Sequence, residues 1–215
     1  MKKLLLATLL ATGAALPAQA ATIVFTNGVY TLPSYTTATI FQSFDTAATG
    51  QYTPRPNEAS SGDVEIFQGT VPGQAVDTDS NPNNRFLAVK GGSYTVNFAA
   101  PVQFFSFVLG SLDSYNSLVL SFANGTSQTY SGRQIIGDAD VGPLNSATSG
   151  RVSYDFGHDS GLTSALFSSG QPAFEIDDLA AAVPEASTWA MMLVGLGAVG
   201  GTLRRRRKVR VAFAA

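Results

Sequence analysis

The stretch Gly157-His158-Asp159-Ser160-Gly161 sets a base, an acid and a nucleophile side by side, the three group types of a hydrolytic triad. A triad works only when those groups converge from separate segments, so that the base reaches the nucleophile and the acid orients the base. Neighbours on an extended chain point apart, and the sequence has no G-x-S-x-G elbow. This stretch reads as a turn. Asp77-Thr78-Asp79-Ser80-Asn81-Pro82-Asn83 spaces side-chain oxygens as a calcium loop begins. Pro82 stands where an EF-hand loop needs Gly and Ala88 where it needs Glu, so a solvated Asp/Asn turn is the expectation. Asp138-Ala139-Asp140 is weaker still. Glycoside hydrolysis needs two carboxylates at a set separation in space, and spacing in the chain marks no such pair. His158 is the single histidine and cysteine is absent. Together these exclude a multi-histidine metal site within one chain, a thiolate zinc site and a cysteine nucleophile.

The elements that must hold any such groups have a period of two. Residues 22–25, 40–44, 64–68, 85–90, 93–98, 103–110, 117–122, 151–156, 163–169 and 172–177 are short runs rich in β-branched and aromatic residues. Gly, Asn, Pro and Ser bound them, as they bound strands. Asn124-Gly125 follows the strand at 117–122, and its tolerance of positive φ predicts a hairpin with a type I′ turn. Residues 52–62 and 71–84 read as loops, and no helix is expected before residue 184. Many short strands joined by Gly/Pro-rich turns predict an all-β fold, a single jelly-roll-like antiparallel β-sandwich. A different antiparallel sandwich or an open barrel is the alternative.

Both ends of the chain lie outside that fold. Lys2 and Lys3, the apolar run Leu4 to Leu16 and the closing Ala18-Gln19-Ala20 have the layout of a secretory signal peptide cleaved after Ala20. The expected division is 1–20 signal peptide, 21–183 exported domain, 184–210 C-terminal signal and 211–215 tail. Residues 21–183 hold five basic residues against fourteen acidic ones, a net charge of −9. Such a surface repels phosphate backbones, so no nucleic-acid partner is expected.

The C-terminal signal reads VPEASTWAMMLVGLGAVGGTLRRRRK. Ala186 to Leu203 is uncharged, and as a helix it would span roughly 27 Å, close to a hydrocarbon core. Trp189 suits one interface; Arg204, Arg205, Arg206 and Arg207 suit the other and keep the basic end cytoplasmic. Gly195 to Gly200 matches G-x-G-x-x-G, but too little chain follows for a dinucleotide-binding unit. The order Pro184-Glu185-Ala186, Trp189-Ala190-Met191-Met192, Gly-rich span and arginines resembles the PEP-CTERM sorting signal. Ala186 stands where that family usually has a second proline. The resemblance implies a membrane protease-transpeptidase, an exosortase, as partner. It also implies cleavage near Pro184 after transient anchoring in the inner membrane, a Gram-negative host and a destination on the cell surface or in the extracellular matrix.

Two stretches of the middle carry resemblances of their own. Gly110-Ser111-Leu112-Asp113-Ser114-Tyr115-Asn116 lies between two strands and resembles a G-S-x-D-x-Y-N turn of exosortase-dependent surface proteins. From the residues themselves, Asp113 and Asn116 suit capping of the turn backbone and Tyr115 suits packing beneath it. Ala173 to Ala180 puts Phe174 and Ile176 on one side, then Asp177 and Asp178 at the end of the last strand beside the linker. It resembles the closing strand of jelly-roll carbohydrate-binding modules, where a terminal Asp and an early-strand acid share a structural Ca²⁺. That resemblance implies Asp45 as the early partner, with Asp177 or Asp178 and backbone carbonyls completing the site. A cysteine-free acidic domain gains stability when a cation neutralises such a cluster.

The expected function is a non-enzymatic exported surface or matrix protein, associated with exopolysaccharide or biofilm. A carbohydrate-binding module is the alternative, with Tyr52, Tyr115 and Tyr130 as stacking residues. A secreted hydrolase is the second alternative, disfavoured by the chemistry that is missing.

Overall fold

The computed structural model describes residues 21–182, apart from residues 35, 79, 80, 82, 145–147 and 158–160, together with residues 194–201. Among the described residues the alternating pattern resolves into eleven strands. In chain order they are β1 (Thr22–Asn27), β2 (Thr39–Gln42), β3 (Gly50–Gln51), β4 (Glu58–Gln68), β5 (Arg85–Val102) and β6 (Phe104–Leu109). Then come β7 (Asn116–Phe122), β8 (Ser127–Ser131), a 3₁₀ turn over Gly132–Ile136, β9 (Gly150–Asp155), β10 (Leu162–Ser169) and β11 (Phe174–Ala182). All pairings between strands are antiparallel, in the order β1-β9-β6-β11-β5-β10-β7-β8. β2 lies beside β11, and β4 runs along β5 with β3 outside it.

This is one curled antiparallel sheet, an open half-barrel with a sandwich-like core and β1 and β8 at its two ends, rather than two separate sheets. β5 makes the curl. Its first half pairs with β11 and its second half with β10, so it leaves one layer and enters the other. The runs 85–90 and 93–98, expected as two strands, are parts of this one strand. Gly91-Gly92 is where it bends. The register with β4 slips between Asp63 and Val64, a bulge that bends a strand and adds twist. Gly62 and Gly92 are register partners there; a Cβ on Gly62, whose φ is +76°, would lie 2.5 Å from the Gly91 carbonyl oxygen. Only glycine lets the two backbones approach so closely at that angle.

Three other expectations change. Residues 58–62, read as loop, form the first part of β4, a polar run at the margin of the sheet. The β7–β8 hairpin forms as expected, but only Gly125 takes positive φ (81°), and Asn124 stays negative. The Gly125 N–H bonds to Phe122 O and the Phe122 N–H to Thr126 O, so the turn is not type I′. Asp177 and Asp178 do not end the last strand. β11 continues to Ala182 with neighbours on both sides, because Leu179-Ala180-Ala181 are small and apolar enough to stay inside the sheet.

The concave side holds the core. Phe107 of β6 meets Phe167 of β10 edge to face at 5.0 Å across the two layers, and Phe174 of β11 meets the same ring at 5.5 Å. Each ring withdrawn from water contributes about 1.5–3 kcal/mol. The convex side of the first layer breaks the polar-out rule differently. Ser106, Arg151, Ser153, Glu175 and Asp177 are polar and yet buried. Residues 28–34 and 71–78 fold over them.

Candidate functional site

β11 organises this convex side. A strand alternates its side chains, so Phe174 and Ile176 enter the core while Glu175 and Asp177 turn outward. A bulge then follows, with a register shift between Asp177 and Ala180 and Asp178 at φ 46°. That conformation is uncommon for a residue with a side chain. It gives consecutive aspartates different partners.

Glu175 and Asp177 form the acidic half. Glu175 Oε1 accepts from the Val76 N–H at 2.9 Å and Oε2 from the Ser111 hydroxyl at 2.6 Å. Asp177 Oδ1 accepts from the N–H of Asp178 at 2.7 Å and of Phe44 at 3.5 Å; Oδ2 accepts from the Thr78 hydroxyl at 3.2 Å. Thr78 Oγ1 in turn accepts from the Asn84 amide at 2.6 Å. These bonds pin Val76 and Thr78, and through Thr78 also Asn84, to the sheet. Every donor to the two carboxylates among the described residues is neutral. Burial therefore pushes both carboxyls up, Asp177 to about 7, with Asp178 and then Asp45 adding repulsion and the N–H donors opposing.

The basic half centres on Arg151 of β9, whose side chain is 2% exposed. Nε donates to Tyr30 O at 2.8 Å, and Nη1 to Ser106 Oγ and to Asp178 O, both at 3.1 Å. Nη2 lies 3.7 Å from Asp178 Oδ2. Burial pulls the guanidinium down, while Asp178 and then Asp177 hold it up. Beside it opens a pocket of about 340 Å³ lined by Val24, Val29, Leu32, Pro33 and Ser153.

The Gly110–Asn116 turn buttresses the acidic half. The Gly110 N–H bonds to Glu175 O at 3.1 Å. A Cβ on Gly110 would lie 2.7 Å from Val76 O and 2.8 Å from Glu175 Cβ. Asn116 caps the turn, with Oδ1 accepting from the Asp113 N–H at 2.6 Å and Nδ2 donating to Ala173 O at 3.2 Å. The Asp113 carboxylate takes the Tyr115 hydroxyl at 2.8 Å, and that hydroxyl also reaches Pro172 O at 2.7 Å.

Asp177 Oδ1 accepts from the N–H of Phe44, the residue before Asp45, while the Asp178 carboxylate lies 3.7 Å from Arg151 Nη2. Asp45 Oδ1 accepts from the Arg85 N–H at 3.3 Å and Oδ2 from the Ser43 hydroxyl at 2.8 Å. No group of three His, Cys, Asp or Glu among the described residues is placed to hold a metal ion. Of the tyrosines, Tyr52 packs into the core against Phe44 and Tyr94. Tyr130 lines a second pocket, of about 380 Å³, with Thr129, Gln134 and Asp138. His158, Asp159 and Ser160 lie outside the described residues.

Past Ala182 the chain offers its other site. Residues 194–201 are helical and expose Val194, Leu196 and Val199. No helix among the described residues is long and apolar enough to cross a membrane. Pro184 to Met192 and Arg204 to Arg207 lie outside the described residues, and their order is read from the sequence. Residues 182–208 match the PEP-CTERM protein-sorting motif. A PEP-CTERM signal implies export, membrane anchoring and exosortase processing, and here it starts on the last residue of β11. No curated protein sequence matches the chain. The solved structure of TmCBM61 in complex with β-1,4-galactotriose is similar over 66% of this chain and 94% of its own, at 14% identity and a TM-score of 0.32.

Arg151 is the residue that sequence reasoning missed. Arg-Val-Ser-Tyr-Asp alternates as any half-exposed strand does, and burial of its polar face comes from residues 28–34, over a hundred positions away. One signal was present: Arg151 is one of five basic residues in 21–183.

Proposed function

We propose that this is a non-enzymatic exported protein whose jelly-roll-like β domain is delivered to the cell surface or extracellular matrix of a Gram-negative bacterium by its PEP-CTERM signal. The signal peptide takes the chain across the inner membrane, the tail stops it there, and exosortase cuts near Pro184. The domain then acts through its surface among exopolysaccharide or biofilm components. The observation that supports this reading best is the PEP-CTERM match at residues 182–208, directly after the last strand. A structural Ca²⁺ held by Asp45 and Asp177 belongs to the same proposal. The test is the intact mass of the mature protein from an exosortase-bearing host. The mass should begin at Ala21 and lack the residues after about Pro184. A surface protein that keeps Arg204 to Arg207 overturns processing and leaves a plain membrane anchor.

A carbohydrate-binding role is the second reading. The pocket beside Tyr130 favours it, because an aromatic edge with Gln134 and Asp138 offers both stacking and hydrogen bonds to hydroxyls. A glycan array separates the two. Binding that Tyr130→Ala abolishes favours the sugar site, and a blank array favours delivery alone.

A further inference from the structure

The β7–β8 turn carries Asn124-Gly125-Thr126, and no other asparagine of the chain is followed two positions on by Ser or Thr. Asn-x-Ser/Thr is the acceptor pattern for N-linked sugar, and its use requires a surface turn. The structure supplies that turn. Residues 123–127 are all exposed, and a Cβ on Gly125 would meet nothing within 4 Å. The stem beneath is fixed. Phe122 is buried, its N–H bonds to Thr126 O at 2.9 Å, and the Ala123 N–H bonds to Gly161 O at 2.9 Å. The tip is thus presented on a rigid base, as functional loops are.

The local hydrogen bonds also suit the chemistry. An amide nitrogen is a weak nucleophile because its lone pair is shared with the carbonyl. As the nitrogen gives up a proton, the charge collects on the oxygen. Asn124 Oδ1 accepts from the Thr126 N–H at 3.0 Å and from the Thr126 hydroxyl at 2.7 Å, and donors to the charged form favour it. The competing reaction is cyclisation, in which Gly125 N attacks the same side chain and expels ammonia. The Gly125 N–H is engaged by Phe122 O at 3.0 Å, which opposes that attack. We propose that Asn124 is a glycosylation site, with a glycosyl diphosphate as donor. Nδ2 bonds to the anomeric carbon, and the bond from that carbon to the diphosphate oxygen breaks. The diphosphate leaves with the electron pair, and one Nδ2 proton passes to a base of the transferring enzyme. The sugar has a use where it stands. Among the described residues β8 pairs with β7 alone, and Ser127–Ser131 carries neither charge nor proline, the usual guards of an open edge. A hydrated glycan at the adjoining turn hinders a second strand from pairing there.

The test is the mass of the tryptic peptide spanning residues 91–133, taken from the full chain recovered from its native cells. The mass should exceed that of the sequence by whole sugar residues, and an N-glycan amidase should remove the excess. Asn124→Gln and Thr126→Ala should abolish the excess. Thr126→Ser should retain it, because the hydroxyl donor is kept. Sugar on chains that still carry residues 1–20 assigns a nucleotide-linked donor acting before export. Sugar found only on chains that lack them assigns a lipid-linked donor acting afterwards. A peptide of unmodified mass overturns the site. So does a peptide in which the amide has become an acid without sugar, the product of cyclisation. Sugar that survives Asn124→Gln, or full occupancy in Thr126→Ala, overturns the assignment to these residues. The peptide lies far from the tail, so the result reads the same whether or not exosortase cuts near Pro184.

Discussion

The two halves of the convex side solve one problem in opposite ways. Each buries charge beneath a loop on the outer face of the same layer. Arg151 is met by a carboxylate, two carbonyls and a hydroxyl, so its charge is answered where it sits. Among the described residues, Glu175 and Asp177 are met by N–H and O–H dipoles alone. A buried ion with a counter-ion is costly to break, whereas a buried acid without one can shed its charge by taking a proton. The basic half should therefore behave as a fixed staple and the acidic half as a part that responds to its medium.

The largest effect is expected from breaking the staple. Arg151→Ala leaves the Tyr30 and Asp178 carbonyls and the Ser106 hydroxyl without their buried donor, and Asp178, about 32% exposed, without its cation. It should cost about 3–5 kcal/mol of unfolding free energy, the range for breaking a buried charged network. Denaturant unfolding of residues 21–183 measures it. A loss below about 1 kcal/mol, the range of exposed pairs, would place Arg151 among surface charges and dissolve the contrast. Next comes Gly110→Ala, which presses a methyl into Val76 O and Glu175 Cβ. Overpacking of this kind costs about 1–3 kcal/mol. The loss should appear together with earlier proteolysis in residues 71–84; a loss without loop release would show that the turn does not buttress that loop.

How far this arrangement was legible depends on the range of the forces involved. The β7–β8 hairpin was legible because Asn124-Gly125 is a local signal, although the turn settles on Gly125 alone. The bend in β5 was not: Gly91-Gly92 reads as a break, and only the partner strand with Gly62 makes it a corner. Asp177-Asp178 read as the end of the last strand because charge in a strand suggests an end; a bulge and two covering loops keep it inside. The motif turn was legible in its types, with Asn116 capping as expected, but its service to Glu175 was not. The sorting motif at residues 182–208 was legible because it is an ordered run of residues and needs no folding to be read, whereas the spanning helix expected over Ala186 to Leu203 lies largely outside the described residues.

The third prediction uses pH to separate the halves. Asp177 ionises near 3.8 in the unfolded chain and near 7 in the folded one. Between those values the folded state binds more protons than the unfolded state. Stability is therefore full below about pH 4, falls as pH rises toward 7, and is flat above, as linkage requires for a raised carboxyl. With relaxation of the loop the loss is on the order of 2 kcal/mol. Melts in chelator across pH 4 to 8 should show the fall in the wild type and a shallower one in Asp177→Asn. Equal slopes in the two proteins would remove Asp177 as the responsive group. An arginine keeps its charge across this range, so Arg151 contributes no slope of its own.

Calcium is the smallest expected effect and the one that sharpens the contrast most. A cation favours ionised carboxylates, so it should act on the acidic half and leave the basic half alone. Asp177 accepts from the N–H of Phe44, the residue before Asp45, and Asp45 adds to the repulsion that raises Asp177. The proposed site, two carboxylates completed by backbone carbonyls, would be a modest one, in the range of about 10⁻⁴–10⁻³ M found for extracellular modules. At ten times such a dissociation constant, a ligand of the folded state adds about 1.4 kcal/mol. The melting temperature of residues 21–183 at pH 7 should rise with calcium in excess and return with chelator. Asp45→Asn should lose most of that rise. Asp178→Asn should keep it, because Asp178 faces Arg151 rather than the Asp45 side. A melt that calcium does not move rejects the site. A rise that survives both Asp45→Asn and Asp177→Asn puts the cation elsewhere on the domain and leaves the acidic half responsive to protons alone.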